Sequence, residues 1–496
     1  MIPAMNRFLR LALPTVVCLA AWPALRANHL RWAQLSMPDA QTLAVSVAWD
    51  HSWSLAAAPG NHDAVWLFIK ARSGNGPWLH LAPAADPAAH SVGDTLLALH
   101  PAPGGLILRR TRPGEGDIPF TSLLIRLASP LPAGWELQLH GIEMAYVPPG
   151  PYWLGDSSSS HSLRDGTTGG PYYVGDSGSL TAGPLGLADD GTLPPAADVP
   201  ATYPTGYAGF YCMKYELSQA QYAAFLNTLD IPQQTARTQA SPYAAAGTYA
   251  LTPTGLAAGR NGIVVTRPAG NQPAHYACNA NGNLVFDEPD DGGWRACNYL
   301  DWEDLLAYLD WAALRPMTEL EFEKACRGPV RPLPGGFAWG TAQAVDANTL
   351  LHDGTTSETA GEVATTQAGL ASHGYAGPQG PLRSGFGARD TASRLQSGAS
   401  YYGICELSGN LWELCVQVDA LGLGYDGRHG DGAPDADGRA DVPRWPRDGG
   451  AGFRGGAWNS GILPGFRDLA VSDRFYIDLY PGQRRATSGG RGVLSW

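Results

Sequence analysis

The sequence predicts an α+β protein: an all-β, sandwich-like domain first, then a larger irregular domain with few helices. Three observations carry this expectation. The 496 residues include 62 glycines and 40 prolines, a load that favours loops and short strands over long helices. Short apolar runs separated by turn residues fill residues 28–139. Further on, apolar residues recur at helical spacing behind the capping residues Ser218, Asp301 and Thr318.

Length and charge narrow the function classes. A chain of this size suggests roughly two to four domains. Charged residues are 16% of the chain and the net charge is −12. An acidic, lysine-poor surface argues against nucleic acid and anionic membranes as partners. At the start, Arg7 and Arg10 precede an apolar run from Leu11 to Ala21, with Ala24 and Ala27 as small-residue cleavage points. Residues 1–27 therefore read as an export signal. The run is too short to span a bilayer, so no transmembrane anchor is expected. Val17 precedes Cys18, where a lipoprotein signal needs a small residue. The protein is expected in the periplasm, at the cell surface or secreted.

Loss of the signal leaves Cys212, Cys278, Cys297, Cys326, Cys405 and Cys415. An even number in an exported chain permits disulfides. Cys278 and Cys297 flank one polar loop and form the most plausible pair; buried free thiols are the other reading.

In residues 28–139 the strand signals are Val45–Trp49, Ala64–Ile69, Leu106–Leu108 and Leu123–Ile125. Nothing there has catalytic spacing. A new domain, 140–496, opens with Ile142-Glu143-Met144-Ala145-Tyr146-Val147-Pro148-Pro149-Gly150 and Tyr152-Trp153-Leu154-Gly155. Residues 156–205, rich in Ser, Gly, Pro and Asp, read as a long surface insertion. Phe210-Tyr211-Cys212-Met213-Lys214-Tyr215-Glu216-Leu217-Ser218 leads into a helix, with Ser218 and Gln221 as a capping box and Tyr222, Phe225, Leu226 and Leu229 on its apolar face. A second polar insertion spans 232–293. A helix capped by Asp301 follows, with Trp302, Leu305, Tyr308 and Leu309. Then comes Leu314-Arg315-Pro316-Met317-Thr318-Glu319-Leu320-Glu321-Phe322-Glu323, where Thr318 and Glu321 form another capping box.

Phe337-Ala338-Trp339-Gly340, Gly409-Asn410-Leu411-Trp412-Glu413 and Phe453-Arg454-Gly455-Gly456-Ala457-Trp458 complete the series. In this order the motifs resemble the formylglycine-generating (sulfatase-modifying) enzyme family. The resemblance implies an irregular α+β fold of the C-type-lectin-like kind. It leaves the activity open, because the family divides into copper oxidases, iron sulfoxide synthases and binding proteins.

The resemblance also implies sites. A calcium ion is expected at the Gly-Asn-x-Trp-Glu turn, held by Glu406, Leu407, Gly409, Leu411 and Glu413. Oxygen ligands from a tight turn suit a hard cation. Glu406 stands where Asp or Asn is usual. For the family's other calcium site, Asn348 fits the start, but Ser384 replaces an expected Asp and Phe386 follows. The copper-binding cysteines map onto Ser460 and Gly465, and no cysteine follows Cys415. Neither serine nor glycine can replace a thiolate that binds Cu(I). The chain also lacks the His-x-x-x-His-x-Glu spacing of the iron relatives and a His-Glu-x-x-His zinc motif. No copper, no iron and no catalytic residues are expected.

Two further stretches have calcium-prone composition: Asp426 to Asp441, and Asn279-Ala280-Asn281-Gly282-Asn283 with Asp287. Neither has full EF-hand spacing, and both are expected as solvated loops. Gly489-Gly490-Arg491-Gly492 resembles the family's closing strand and is no phosphate loop.

The last candidate is a recognition face. The variable proteins of diversity-generating retroelements resemble this family and use the corresponding C-terminal segment for binding. Here it carries Asn459, Ser460, Arg467, Asp468, Asp473, Phe475, Tyr476, Asp478 and Tyr480. Rigid aromatics mixed with polar groups suit recognition. The first expectation is an exported protein that binds a protein or glycan through this face. The alternative is a divergent formylglycine-generating or non-haem-iron-type oxidase acting on a protein or small thiol. A structural surface component is the third reading.

Overall fold

The computed structural model describes residues 29–252, 259–388, 393–447, 449–462 and 467–496. The expected export signal and Gly465 lie outside the described residues. Strands make up 31% of the chain and helices 10%, a mixed, sheet-rich protein. Among the described residues no helix is long and apolar enough to cross a membrane.

The first strands are β1 (Arg31–Asp39), β2 (Thr42–Ser54), β3 (Asp63–Ser73), β4 (Leu79–Leu81) and β5 (Ser91–Val92). β6 (Leu97–Ala102), β7 (Gly105–Arg110), β8 (Gly114–Arg126) and β9 (Trp135–Val147) follow. They divide between two sheets. One has the order β1-β2-β8-β5. The other runs from Arg315–Pro316 through Gly492–Ser495 and Phe210–Met213 to β9, β3, β7 and β6, with β4 also on β3. The second sheet thus joins the start of the chain to its end.

β3 explains why. Its residues alternate between two faces, and both faces are covered. Val65, Leu67 and Ile69 pack with Leu43, Val45, Leu123 and Ile125 of the first sheet. Ala64, Trp66 and Phe68 enter the main core with Tyr211, Tyr308 and Trp311. A strand buried on both sides reads as a continuous apolar run, as Ala64–Ile69 does. Trp66 also donates its indole N–H to the carbonyl of Ala312 at 2.8 Å.

β9 pairs with β3 from Asp63↔Ala145 to Ser73↔Trp135. On its other edge it pairs with Phe210–Met213, from Phe210↔Val147 to Met213↔Met144. The expected boundary at 139/140 therefore falls inside one continuous strand.

The helices start where capping chemistry places them. α1 (Gln219–Leu226) begins at Ser218, whose hydroxyl accepts from the Gln221 amide while Gln221 returns the bond. α2 (Ile231–Arg237) uses the same device at Asp230 and Gln233, across the start of the sequence expected to be insertion. α3 (Trp302–Trp311) is capped by Asp301 and α4 (Glu319–Arg327) by Thr318 with Glu321.

The insertions are less superficial than polar composition suggests. Residues 156–205 send Leu163, Val174, Leu187, Val199 and Tyr203 into the main core. Residues 232–293 hold α2 and an antiparallel hairpin of Ile263–Arg267 with His275–Cys278. The Cys278–Cys297 disulfide does not form: both are free thiols, as are the other four, and all six are buried. Cys278 and Cys297 lie in the main apolar core, so they pack as small hydrophobes.

Candidate functional site

The turn at 406–413 is built by backbone constraint. Glu406 and Asn410 have positive φ, 56° and 67°, and Gly409 has 97°. A Cβ on Gly409 would come within 2.6 Å of the Ser372 carbonyl, so only glycine fits. The amide of Gly409 donates to the Gly455 carbonyl, tying the turn to the Arg-Gly-Gly segment. Asn410 is buried; its side-chain carbonyl accepts from the Leu382 amide and its amide group donates to Glu216.

Three buried carboxylates meet here: Glu216, Glu406 and Glu413. Glu216 accepts from the Leu411 amide at 2.9 Å as well as from Asn410. Glu406 accepts from the Gly385 amide at 3.0 Å. Glu413 accepts from the Arg491 Nε at 2.5 Å. Burial pushes all three carboxyls up, Glu406 to about 7. Mutual repulsion adds to the rise for Glu216, whereas Arg491 opposes it for Glu406 and Glu413. Two oxygens, Glu406 Oε1 and Glu413 Oε2, are buried with no hydrogen-bond partner. Buried carboxylate oxygens left without a hydrogen-bond donor are groups that a hard oxygen-seeking cation can satisfy. Glu406 and Glu413, the two side-chain ligands expected from the sequence, each carry one of these oxygens, although with Glu216 they do not form, among the described residues, an acidic group whose oxygens all lie within 4.8 Å of one another. Glu216 was not among them. In the sequence it stands only within the run Phe210–Ser218 that leads into α1; its part in the cluster needs the fold. A small cavity beside the turn is lined by Glu406, Ser408, Gly409, Asn410, Ser372 and Phe386.

The other expected calcium position divides between an exposed and a buried residue. Asn348 is exposed. Ser384 is buried and donates its hydroxyl to the Glu216 carbonyl at 3.1 Å, so it braces the three-carboxylate cluster.

Ser460, the residue that the resemblance sets against the first copper-binding cysteine, is buried. Its hydroxyl accepts from the Ala457 amide at 2.9 Å, and its carbonyl accepts from Gly374. A hydrogen bond from Ser460 offsets part of the rise that burial gives the Asp468 carboxyl. The six described thiols are all buried and all raised by burial, the reverse of what a reactive thiolate needs.

The expected recognition residues divide. Phe475, Asp478 and Tyr480 are exposed; Asn459, Arg467, Asp468 and Tyr476 are half-buried; Ser460 and Asp473 are buried. Phe475 and Tyr476 belong to one aromatic patch. Phe475 meets Tyr476 edge-on at 4.9 Å and stacks on His161 at 6.0 Å. Tyr476 meets Trp412 of the turn edge-on at 5.2 Å. Tyr375, 75% exposed, lies close enough to raise the Tyr476 phenol, although burial is the larger cause. His161 and Tyr375 were missed because both come from segments far away in sequence. Asp473 is held by the Phe475 and Ser160 amides, and burial raises its carboxyl to about 6. The patch is aromatic and is joined to the turn through Trp412.

Residues 166–464 match the family described as the Sulfatase-modifying factor enzyme 1-like domain. No curated protein matches the chain. The family match covers more than half of the sequence and includes the Thr318 helix start, the turn at 406–413 and the Arg-Gly-Gly segment. The chain belongs to the sulfatase-modifying factor enzyme 1-like family.

Proposed function

We propose that this family member binds a ligand and does not carry out thiol oxidation. The observation that carries this reading is Ser460. The residue that the resemblance sets against a copper-binding cysteine has its hydroxyl tied into the loop, and no cysteine follows Cys415. Soft-metal chemistry at that place lacks its sulfur. The exposed Phe475 and Tyr480, with Asp478 between them in the chain, and the exposed Tyr375 offer aromatic side chains for a glycan or protein. The C-type-lectin-like frame implied by the family suits such a face.

In this reading a calcium ion is held by Glu406 and Glu413 with the carbonyls of Leu407, Gly409 and Leu411. It neutralises the buried carboxylates and fixes the turn under Trp412. The positively charged, apolar start of the chain supports export, so the ligand would be met outside the cytoplasm. The β1–β9 region and residues 140–496 act as two functional parts built on one shared sheet.

The test is metal analysis of purified protein together with incubation on a cysteine-containing sulfatase peptide under copper and oxygen. Calcium alone and an unmodified peptide support binding. Stoichiometric copper or iron, or conversion of the peptide cysteine to an aldehyde, overturns it in favour of a divergent oxidase.

A further inference from the structure

We propose a second calcium site, separate from the turn at 406–413, in the loop that follows the hairpin of the second insertion. Its ligands are the carboxylates of Glu288, Asp290 and Asp291. One oxygen from each of these three residues lies within 4.8 Å of the others. The sequence alone favours a solvated loop here because the spacing does not fit an EF-hand. Two observations change that reading.

The first is Asp291. It is 1% exposed, and its Oδ1 is buried with no hydrogen-bond partner. Its other oxygen accepts from the Glu288 amide at 2.8 Å, which fixes the carboxylate in place. A solvated loop does not bury a carboxylate oxygen and leave it unsatisfied.

The second is charge balance. Asp287 lies in the same loop, so four acidic residues stand together, and among the described residues none of them makes an ion pair. Arg295, which lies beside Gly292 at the end of the loop, is committed to Glu358 and Asp353. The positive ends that face the cluster are amide groups: Asn281 donates to Glu288 and Asp290, both at 3.2 Å, and Asn283 donates to Glu288 at 2.5 Å. Burial and the neighbouring carboxylates push the Asp291 carboxyl up. A divalent cation removes that repulsion and satisfies Oδ1.

The donor set selects the ion. Oxygen is the only ligand element offered, which disfavours zinc and copper. The carboxylates sit on a loop rather than on rigid elements, which suits the variable, higher coordination of Ca2+ over strict octahedral Mg2+. The second acidic trio, Asp310 with Asp431 and Asp441, differs in kind. Both Asp310 oxygens accept backbone amides, from Asp431 and Asp441, so that carboxylate already clasps its loop.

The experiment uses the full chain, stripped with EDTA and titrated with Ca2+ by calorimetry, with Tb3+ luminescence read through the nearby Trp294. The wild type should bind calcium in this loop. Asp290→Asn with Glu288→Gln should weaken one binding event by about tenfold to a hundredfold and leave the event lost in Glu413→Gln intact. Hydrogen exchange on the wild type supplies a readout free of folding defects: calcium should protect residues 279–291. Unchanged calcium binding in the double variant, or no calcium-dependent protection of 279–291, overturns the site. Loss of binding in Glu413→Gln alone bears on the turn and not on this loop.

Discussion

Arg454 donates its Nη1 to Glu319 Oε2 at 2.8 Å, and neither side chain has any exposure to solvent. The pair belongs to a buried network. Arg454 also reaches Glu323 at 2.8 Å, Arg474 reaches Glu319 at 2.7 Å, and Arg327 pairs with Glu323. The network ties α4 to the Arg-Gly-Gly strand. Breaking a buried pair leaves an uncompensated charge. Arg454→Met should therefore cost about 3–5 kcal/mol in denaturant unfolding. A loss below about 1 kcal/mol would mean that the network relaxes without its central arginine.

The carboxylate turn should make stability depend on pH and on calcium together. The fold raises Glu406 from an ordinary 4.5 to about 7. Between those values the folded chain keeps a proton that the unfolded chain has released. Without metal, stability should fall as pH rises through that window. Calcium favours the ionised form and should flatten or reverse the slope. Melting temperatures across this range, in EDTA and in calcium, check it; superimposable profiles would remove the cation from the turn. Glu406→Gln should lessen the slope together with the part of the calcium response that comes from the turn.

The thiols should be silent in the native protein. Cys212, Cys278, Cys297, Cys326, Cys405 and Cys415 are buried, free and raised by burial. A thiol reagent should label them only after denaturation, with no reductant needed. Fast labelling of the folded protein, or a need for reductant, would contradict the arrangement.

Phe475→Ala and Tyr480→Ala should separate binding from folding. Both side chains are exposed, so stability should stay within about 0.5 kcal/mol of the parent. Retention on a glycan or peptide array should drop by about tenfold, which is 1.4 kcal/mol. Retention equal to the parent's would place recognition elsewhere.

Much of the local structure was legible in the sequence. Ser218, Asp301 and Thr318 start helices because their side chains satisfy amides that the helix leaves free, and the signal is contained in four residues. Ala64–Ile69 reads as a strand because β3 is covered on both faces. Long-range partnership was not legible. Glu216 joins Glu406 and Glu413 through a meeting of strand and turn nearly two hundred residues apart. His161 and Tyr375 reach the aromatic patch in the same way. The disulfide expectation failed because spacing around a loop does not reveal that both thiols point into one apolar core.

The continuity of β9 has a practical corollary. The family match begins at residue 166, after β9 has ended, and stops at 464, before Gly492–Ser495. A fragment cut at those limits would strip Phe210–Met213 of both its neighbours in the sheet. It would expose unpaired backbone to any passing strand, an invitation to aggregate. The smallest piece expected to stay in solution runs from β1 to the final residues.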